Sequence, residues 1–244
     1  MRAYRAYFFD LYGTLVDIHT DESRPALWRE MSAWYAGRGA DYAPVELRRA
    51  YLELCRQREE RLRQTGKSAW PEIELGGVFA ELYARRSVTA DEALTAETAL
   101  AFRRASTTHL RLYSGAIELL DALRQAGRQV FLLSNAQRVF TLPELEELGL
   151  LHCFDDIFLS SDCGCKKPDP AFFSVPLGRY GLAAKDCLMI GNDPVCDIGG
   201  AAAAGMDSVF IRSGLSPREL PDRVPAALRL EGMDLRRLRR ILLQ

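Results

Sequence analysis

The sequence has no apolar run approaching the roughly 20 residues that a membrane-spanning helix needs. Its start, Met1-Arg2-Ala3-Tyr4-Arg5, leads straight into a strand-like run and shows no secretory pattern. A soluble, cytoplasmic protein is the expectation. Cysteine is present but unorganised: Cys55, Cys153, Cys163, Cys165, Cys187 and Cys196 form no CxxC pair and no His-spaced zinc pattern. Cys163 and Cys165 stand too close in the chain to share a metal easily in a tight structural site. Reduced thiols are expected. An excess of charge of one sign is also missing. The 32 Lys and Arg against 33 Asp and Glu leave a net charge of −1, so no overall basic field draws in nucleic acid. Internal repeats and low-complexity stretches are absent.

What is there is an ordinary globular composition, 48% apolar and 27% charged over 244 residues. That length suits one large domain, or a core with a smaller companion. Tyr7-Phe8-Phe9 reads as a buried strand ending at Asp10 and followed by the turn residues Gly13-Thr14. From Asp21 to about Leu110 the texture is helical, with apolar spacing such as Leu47, Tyr51, Leu54 and Leu62 and no strand-like alternation. Asp41-Tyr42-Ala43-Pro44 and Ala69-Trp70-Pro71 break it into separate helices. Trp28 and Trp34 read as packing residues on one of them.

After Tyr113 short apolar runs alternate with helical segments. Strands are predicted at Val130–Leu133, Ile157–Ser160, Leu188–Ile190 and Ser208–Ile211. Helices are predicted over Gly115–Ala126, Pro143–Leu148, Pro170–Tyr180, Ile198–Ala204 and Met233–Leu243. Such alternation predicts an α/β fold: an open, mainly parallel, doubly wound (Rossmann-like) sheet with helices on both faces and an inserted α-helical cap. Residues 1–18 and 112–244 would form the core and 19–111 the cap. In such a sheet ligands bind beyond the carboxyl ends of the strands. Asp10, Ser134, Asn135, Asn192 and Asp193 each stand at such an end.

Four segments carry the chemistry: Phe8-Phe9-Asp10-Leu11-Tyr12-Gly13-Thr14-Leu15-Val16-Asp17, Phe131-Leu132-Leu133-Ser134-Asn135, Lys166-Lys167-Pro168-Asp169-Pro170, and Met189-Ile190-Gly191-Asn192-Asp193-Pro194-Val195-Cys196-Asp197. In order and spacing they resemble the haloacid dehalogenase-like (HAD) hydrolase superfamily over essentially the whole chain, in the branch with a helical cap after the first motif. The resemblance implies a hydrolase with Asp10 as covalent nucleophile. Thr14 and Ser134 would donate to the transferred group, Asn135 would belong to the same catalytic set, and Lys167 would supply positive charge. One Mg²⁺ would sit between Asp10, the backbone carbonyl of Tyr12 and Asp193. Asn192 stands where many relatives carry the metal-binding aspartate, but a carboxylate binds Mg²⁺ better, so Asp193 is the expected ligand. Asn192 and Asp197 would then lie just behind the ligands, with Asp197 binding Lys167, capping the following helix, or both.

The first motif departs from the phosphatase pattern. Phosphatases of the family carry a second aspartate where this chain has Tyr12, and a phenol is a poor general base at neutral pH. The dehalogenase branch carries that tyrosine, since a halide leaving group needs no proton. Yet Pro194, Asn192, Asp193 and Phe173 depart from the dehalogenase pattern. The expectation is therefore Mg²⁺-dependent hydrolysis of a small anionic, phosphorylated metabolite, with 2-haloacid dehalogenation and a catalytically weak binding module as alternatives. His19, where the chain enters the cap, could face the cleft and assist in acid–base chemistry, or serve as a hinge residue. Trp70, in the cap loop Trp70-Pro71-Glu72, could line the entrance.

Overall fold

The computed structural model describes residues 2–219, 221 and 224–244. Six strands form one sheet: β1 (Ala6–Phe9), β4 (Gln129–Ser134), β5 (Asp156–Leu159), β6 (Cys187–Gly191), β7 (Asp207–Ile211) and β8 (Leu228–Leu230). Their order is β5-β4-β1-β6-β7-β8, and every pair is parallel. β1 lies at the centre, with Phe8 opposite Phe131 on one side and Met189 on the other.

The period of two along each strand sorts the side chains into two layers. Tyr7, Phe9, Val130, Leu132, Leu188, Ile190, Val209 and Ile211 pack on one face with α5 (Ala116–Gln125) and α10 (Leu235–Leu243). Ala6, Phe8, Phe131, Leu133 and Met189 pack on the other with α8 (Pro170–Tyr180). A sheet covered on both faces needs apolar residues on both, which is why these strands read as continuous hydrophobic runs.

Four helices lie between β1 and α5 in the chain: α1 (Pro25–Ala36), α2 (Pro44–Gln64), α3 (Gly76–Ala84) and α4 (Glu92–Ser106). Pro25 and Pro44 open the first two, where a missing N–H costs nothing. Asp91 caps α4 by accepting from the Leu94 amide at 2.8 Å. Their buried faces (Trp28, Met31 and Tyr35; Leu47, Tyr51 and Leu54; Phe79; Phe102) make a separate apolar cluster. Phe140 joins it from α6 (Arg138–Glu147), a helix of the sheet layer.

Several boundaries differ from expectation. An antiparallel ribbon, β2 (Val16–Thr20) and β3 (Thr107–Leu112), connects the helices to the sheet; β3 begins inside the stretch from Asp21 to about Leu110 that reads as helical. Its strands are short and alternate, with Val16 and Ile18 in β2 and Leu110 and Leu112 in β3 set between polar residues, so neither shows the continuous apolar run of the sheet strands. α6 begins five residues before Pro143, which sits inside it. The proline forfeits one helical hydrogen bond near the N-terminal end, while Phe140 is buried in return. β8 was not anticipated either. Helix was predicted from Ile198, but a π-helical turn (Pro194–Gly199) precedes the short α9 (Gly200–Ala203). A one-turn helix, α7 (Ser160–Cys163), follows β5 directly.

Candidate active site

The carboxyl ends of β1, β4 and β6 and the loop before α8 converge on Lys167. An ammonium has three protons to donate, and all are used. The Nζ donates to Asp10 Oδ1 at 2.8 Å, to the Leu133 carbonyl at 2.7 Å and to Asp197 Oδ1 at 2.7 Å. The side chain is 1% exposed. Burial pulls its pKa down, but the charges of Asp10 and Asp197 outweigh that and hold it above the usual lysine range, so it is a fixed cation. Asn135 fixes its backbone by accepting from the Lys167 amide at 2.8 Å and donating to its carbonyl at 3.0 Å.

Asp10 also accepts from Ser134 Oγ at 3.1 Å and from Thr14 Oγ1 at 3.4 Å. The Thr14 hydroxyl lies 3.2 Å from Asn192 Oδ1 as well. Gly13 sits at φ +87°, and a Cβ there would overlap the Asn192 carboxamide. A Cβ on Gly191 would overlap the Asp197 carboxylate in the same way. Gly13 lets the turn after β1 close on the turn after β6, and Gly191 lets that second turn fold back on its own strand end.

Asp197 is buried with Lys167. Burial is the main reason its pKa is pushed up to about 7; Lys167 opposes that and Asp10 adds to it. Its second oxygen accepts from the Asp193 amide at 2.9 Å. Two carboxylates thus face one ammonium.

Asp193 opens the turn after β6. Its Oδ1 accepts from the amides of Val195 and Cys196, both at 2.8 Å, and so caps the π-helical turn. The carboxamide of Asn192, buried against Thr14 and Gly13, holds the place beside Asp10 instead.

The Tyr12 hydroxyl donates to Glu144 Oε2 and lies 3.2 Å from Thr141 Oγ1, both on α6. Burial first, and then the Glu144 charge, keep the phenol protonated far above neutrality. His19 is exposed on the ribbon, with Nδ1 2.9 Å from Thr108 Oγ1 and its ring stacked on His109.

Trp70 lies 46% exposed on a cap loop that is seated on the core. Its carbonyl accepts from the Lys166 amide at 3.0 Å, and the Glu72 amide donates to the Gly164 carbonyl at 3.1 Å. Glu72 accepts from Ser160 Oγ at 3.1 Å and Gln137 Nε2 at 3.2 Å. Gln137 also ties down the loop by donating to the Ile73 carbonyl and accepting from the Leu75 amide. Glu72 and Gln137 had only their place in the chain to recommend them.

The profile of a hydrolase family, the haloacid dehalogenase-like hydrolases, matches residues 4–205. The chain belongs to that family. A phosphoserine phosphatase from Thermus thermophilus is 33% identical over 114 residues, 47% of this chain and 45% of that protein, so the match spans about half of each. A ribulose-1,5-bisphosphate 5-phosphatase from Halopiger xanaduensis is 30% identical over 177 residues, 61% of this chain and 72% of that protein. Among solved structures, a 2-haloacid dehalogenase from Pseudomonas syringae pv. Tomato superposes with a TM-score of 0.67 over 98% of both chains at 19% identity, a likeness of fold. This HAD hydrolase therefore has an α/β core with a helical insertion. Among its described residues no helix is long and apolar enough to cross a membrane.

Proposed function

We propose that this hydrolase cleaves a small phosphorylated metabolite, with Asp10 as nucleophile and Mg²⁺ as cofactor. The observation that carries the reading is the charge balance at Lys167. With Asp197 ionised, Asp10 and Asp197 together outweigh one ammonium, and the Thr14 hydroxyl bonds to oxygens of both Asp10 and Asn192. Hard oxygen donors beside surplus negative charge fit Mg²⁺. Asp10, the Tyr12 carbonyl and Asn192 would hold it, with Asn192 replacing Asp193 in the expected set. When bound, the ion offsets repulsion between an anionic substrate and the nucleophile.

The other roles belong to the chain's own groups. Asp10 attacks phosphorus as the P–O bond to the metabolite breaks, giving an aspartyl phosphate and the freed metabolite, and water then hydrolyses that acyl phosphate to inorganic phosphate and regenerates Asp10. Ser134 and Thr14 orient the attacking carboxylate. Lys167 neutralises developing charge without giving up its proton. Tyr12 stays a phenol bonded to Glu144 and supplies neither acid nor base. Protonation of the leaving group is therefore the weak step, and aryl or acyl phosphates should be turned over faster than alkyl phosphates. Domain limits near residues 18 and 112 fit this reading, since the ribbon between them joins cap to core.

The phosphatase relatives favour phosphoryl transfer, whereas Tyr12 favours carbon–halogen cleavage. The test is a panel of phosphorylated metabolites and 2-haloacids with Mg²⁺ and with EDTA. Phosphate release that needs Mg²⁺ is expected. Halide release unaffected by EDTA, with no phosphate release, would overturn the proposal in favour of a dehalogenase.

A further inference from the structure

The side chain of Tyr12 leads away from Asp10 to a buried ion pair that the chemistry above leaves unused. Glu144, on α6, accepts the Tyr12 hydroxyl at Oε2. It also pairs with Arg103 of the cap helix α4: Nε to Oε1 at 2.6 Å and Nη2 to Oε2 at 3.4 Å. The side chains are only 9% and 15% exposed. The guanidinium lies 5.4 Å from the centre of the Tyr12 ring and 5.2 Å from that of Phe140. One arginine thus touches the cap, α6 and the turn that follows the nucleophile.

We propose that Arg103 and Glu144 are positioning residues, a latch through which the docked cap fixes Tyr12 and the turn carrying Asp10 and Thr14. That turn is short and closed by its own backbone. The amides of Leu15 and Val16 donate to the Leu11 carbonyl at 2.8 and 2.9 Å, and the Gly13 amide donates to the Val16 carbonyl at 2.7 Å. Tyr12 is its one large side chain reaching into the cap–core boundary. With the cap docked, Arg103 neutralises Glu144, and Glu144 can hold the phenol while buried. If α4 leaves, the charge goes with it. A carboxylate kept from water without its partner is strongly unfavourable, so Glu144 must turn to solvent and release Tyr12. The turn then has two arrangements, biased by where the cap stands. The position that serves acid–base chemistry in phosphatase relatives would here report cap closure. The inference rests on the proposed role of Asp10 only for its bearing on catalysis; the coupling itself can be measured without a substrate.

The test is hydrogen exchange of the backbone amides of residues 13–16, followed in the unsubstituted 244-residue chain and in Arg103→Met, Glu144→Gln and Tyr12→Phe. Arg104→Met, an exposed neighbour on α4, is the control. At least a fivefold acceleration in the turn is expected for Arg103→Met and for Glu144→Gln, with β4 and β6 amides unchanged. Adding Arg103→Met to Tyr12→Phe should produce little further change, because the connection is already cut. Unchanged exchange in the turn of folded Arg103→Met and Glu144→Gln would overturn the latch. Equal acceleration in β4 and β6 would overturn it too, because the pair would then be supporting stability in general.

Discussion

At the scale of single residues, the chemistry depends on which oxygen points where. Asp10→Asn is nearly isosteric, and Lys167 keeps Asp197 and the Leu133 carbonyl as partners, so the fold should survive. Turnover should fall by at least ~10³-fold, as expected when the attacking group itself is removed. A steady-state assay beside a thermal melt checks both. Asn192 and Asp193 separate by a different measurement. Asn192→Asp adds a charged oxygen without adding bulk against Gly13, and should tighten Mg²⁺ about tenfold, ~1.4 kcal/mol. Asp193→Ala should cost roughly 1 kcal/mol of stability through the lost cap and leave Mg²⁺ binding in place. Calorimetric titration of both variants decides; loss of Mg²⁺ binding in Asp193→Ala alone would return Asp193 to the metal.

At the scale of elements, strand ends and the turns after them hold buried charges together, and this has a pH signature. The Asp197 carboxyl is raised from its ordinary value near 4 to about 7 in the fold, mainly by burial. A raised carboxyl means that the folded chain binds more protons than the unfolded chain between those values. Stability from this group is therefore greatest below about pH 4 and is lost as pH rises toward 7. Asp197→Asn should flatten that part of the profile. Denaturant melts from pH 4 to 8 in EDTA, for both proteins, measure it; parallel profiles would refute the assignment. Lys167 acts with the same sign in a higher window: its raised pKa supports the fold fully below the ordinary lysine value, and that support is lost as pH rises above it.

At the scale of the whole molecule, cap and core share more than a hinge. Phe140 leaves a core helix to pack with Phe79 and Phe102 of the cap, at centroid distances of 6.3 Å to each. Phe140→Ala should cost about 3–5 kcal/mol, the usual cost of emptying a buried aromatic site. Because that cavity opens on the boundary, the loss should be accompanied by faster proteolysis in the cap loop around residues 68–75. Chemical denaturation and limited digestion test the two parts separately.

The sequence alone determined the alternating strands and helices of the core and the inserted helices. Those patterns follow from local periodicity and from burying both faces of a sheet. Asp10, Ser134, Asn135, Lys167 and Asp197 were legible because each follows a strand or precedes a helix in a fixed order, and the fold brings all five together. The ribbon β2–β3 was not legible, because two short strands 87 residues apart (Thr20 to Thr107), each with only two alternating apolar residues, carry no local signal of pairing. Nor could the chain settle Asn192 against Asp193, the outward placing of His19, or the partner of Tyr12. Each depends on the direction a side chain takes once distant segments have packed. The tertiary structure sends the Asp193 carboxylate to two amides of its own turn, and gives Tyr12 to Glu144 and Arg103, 132 residues and a cap helix away.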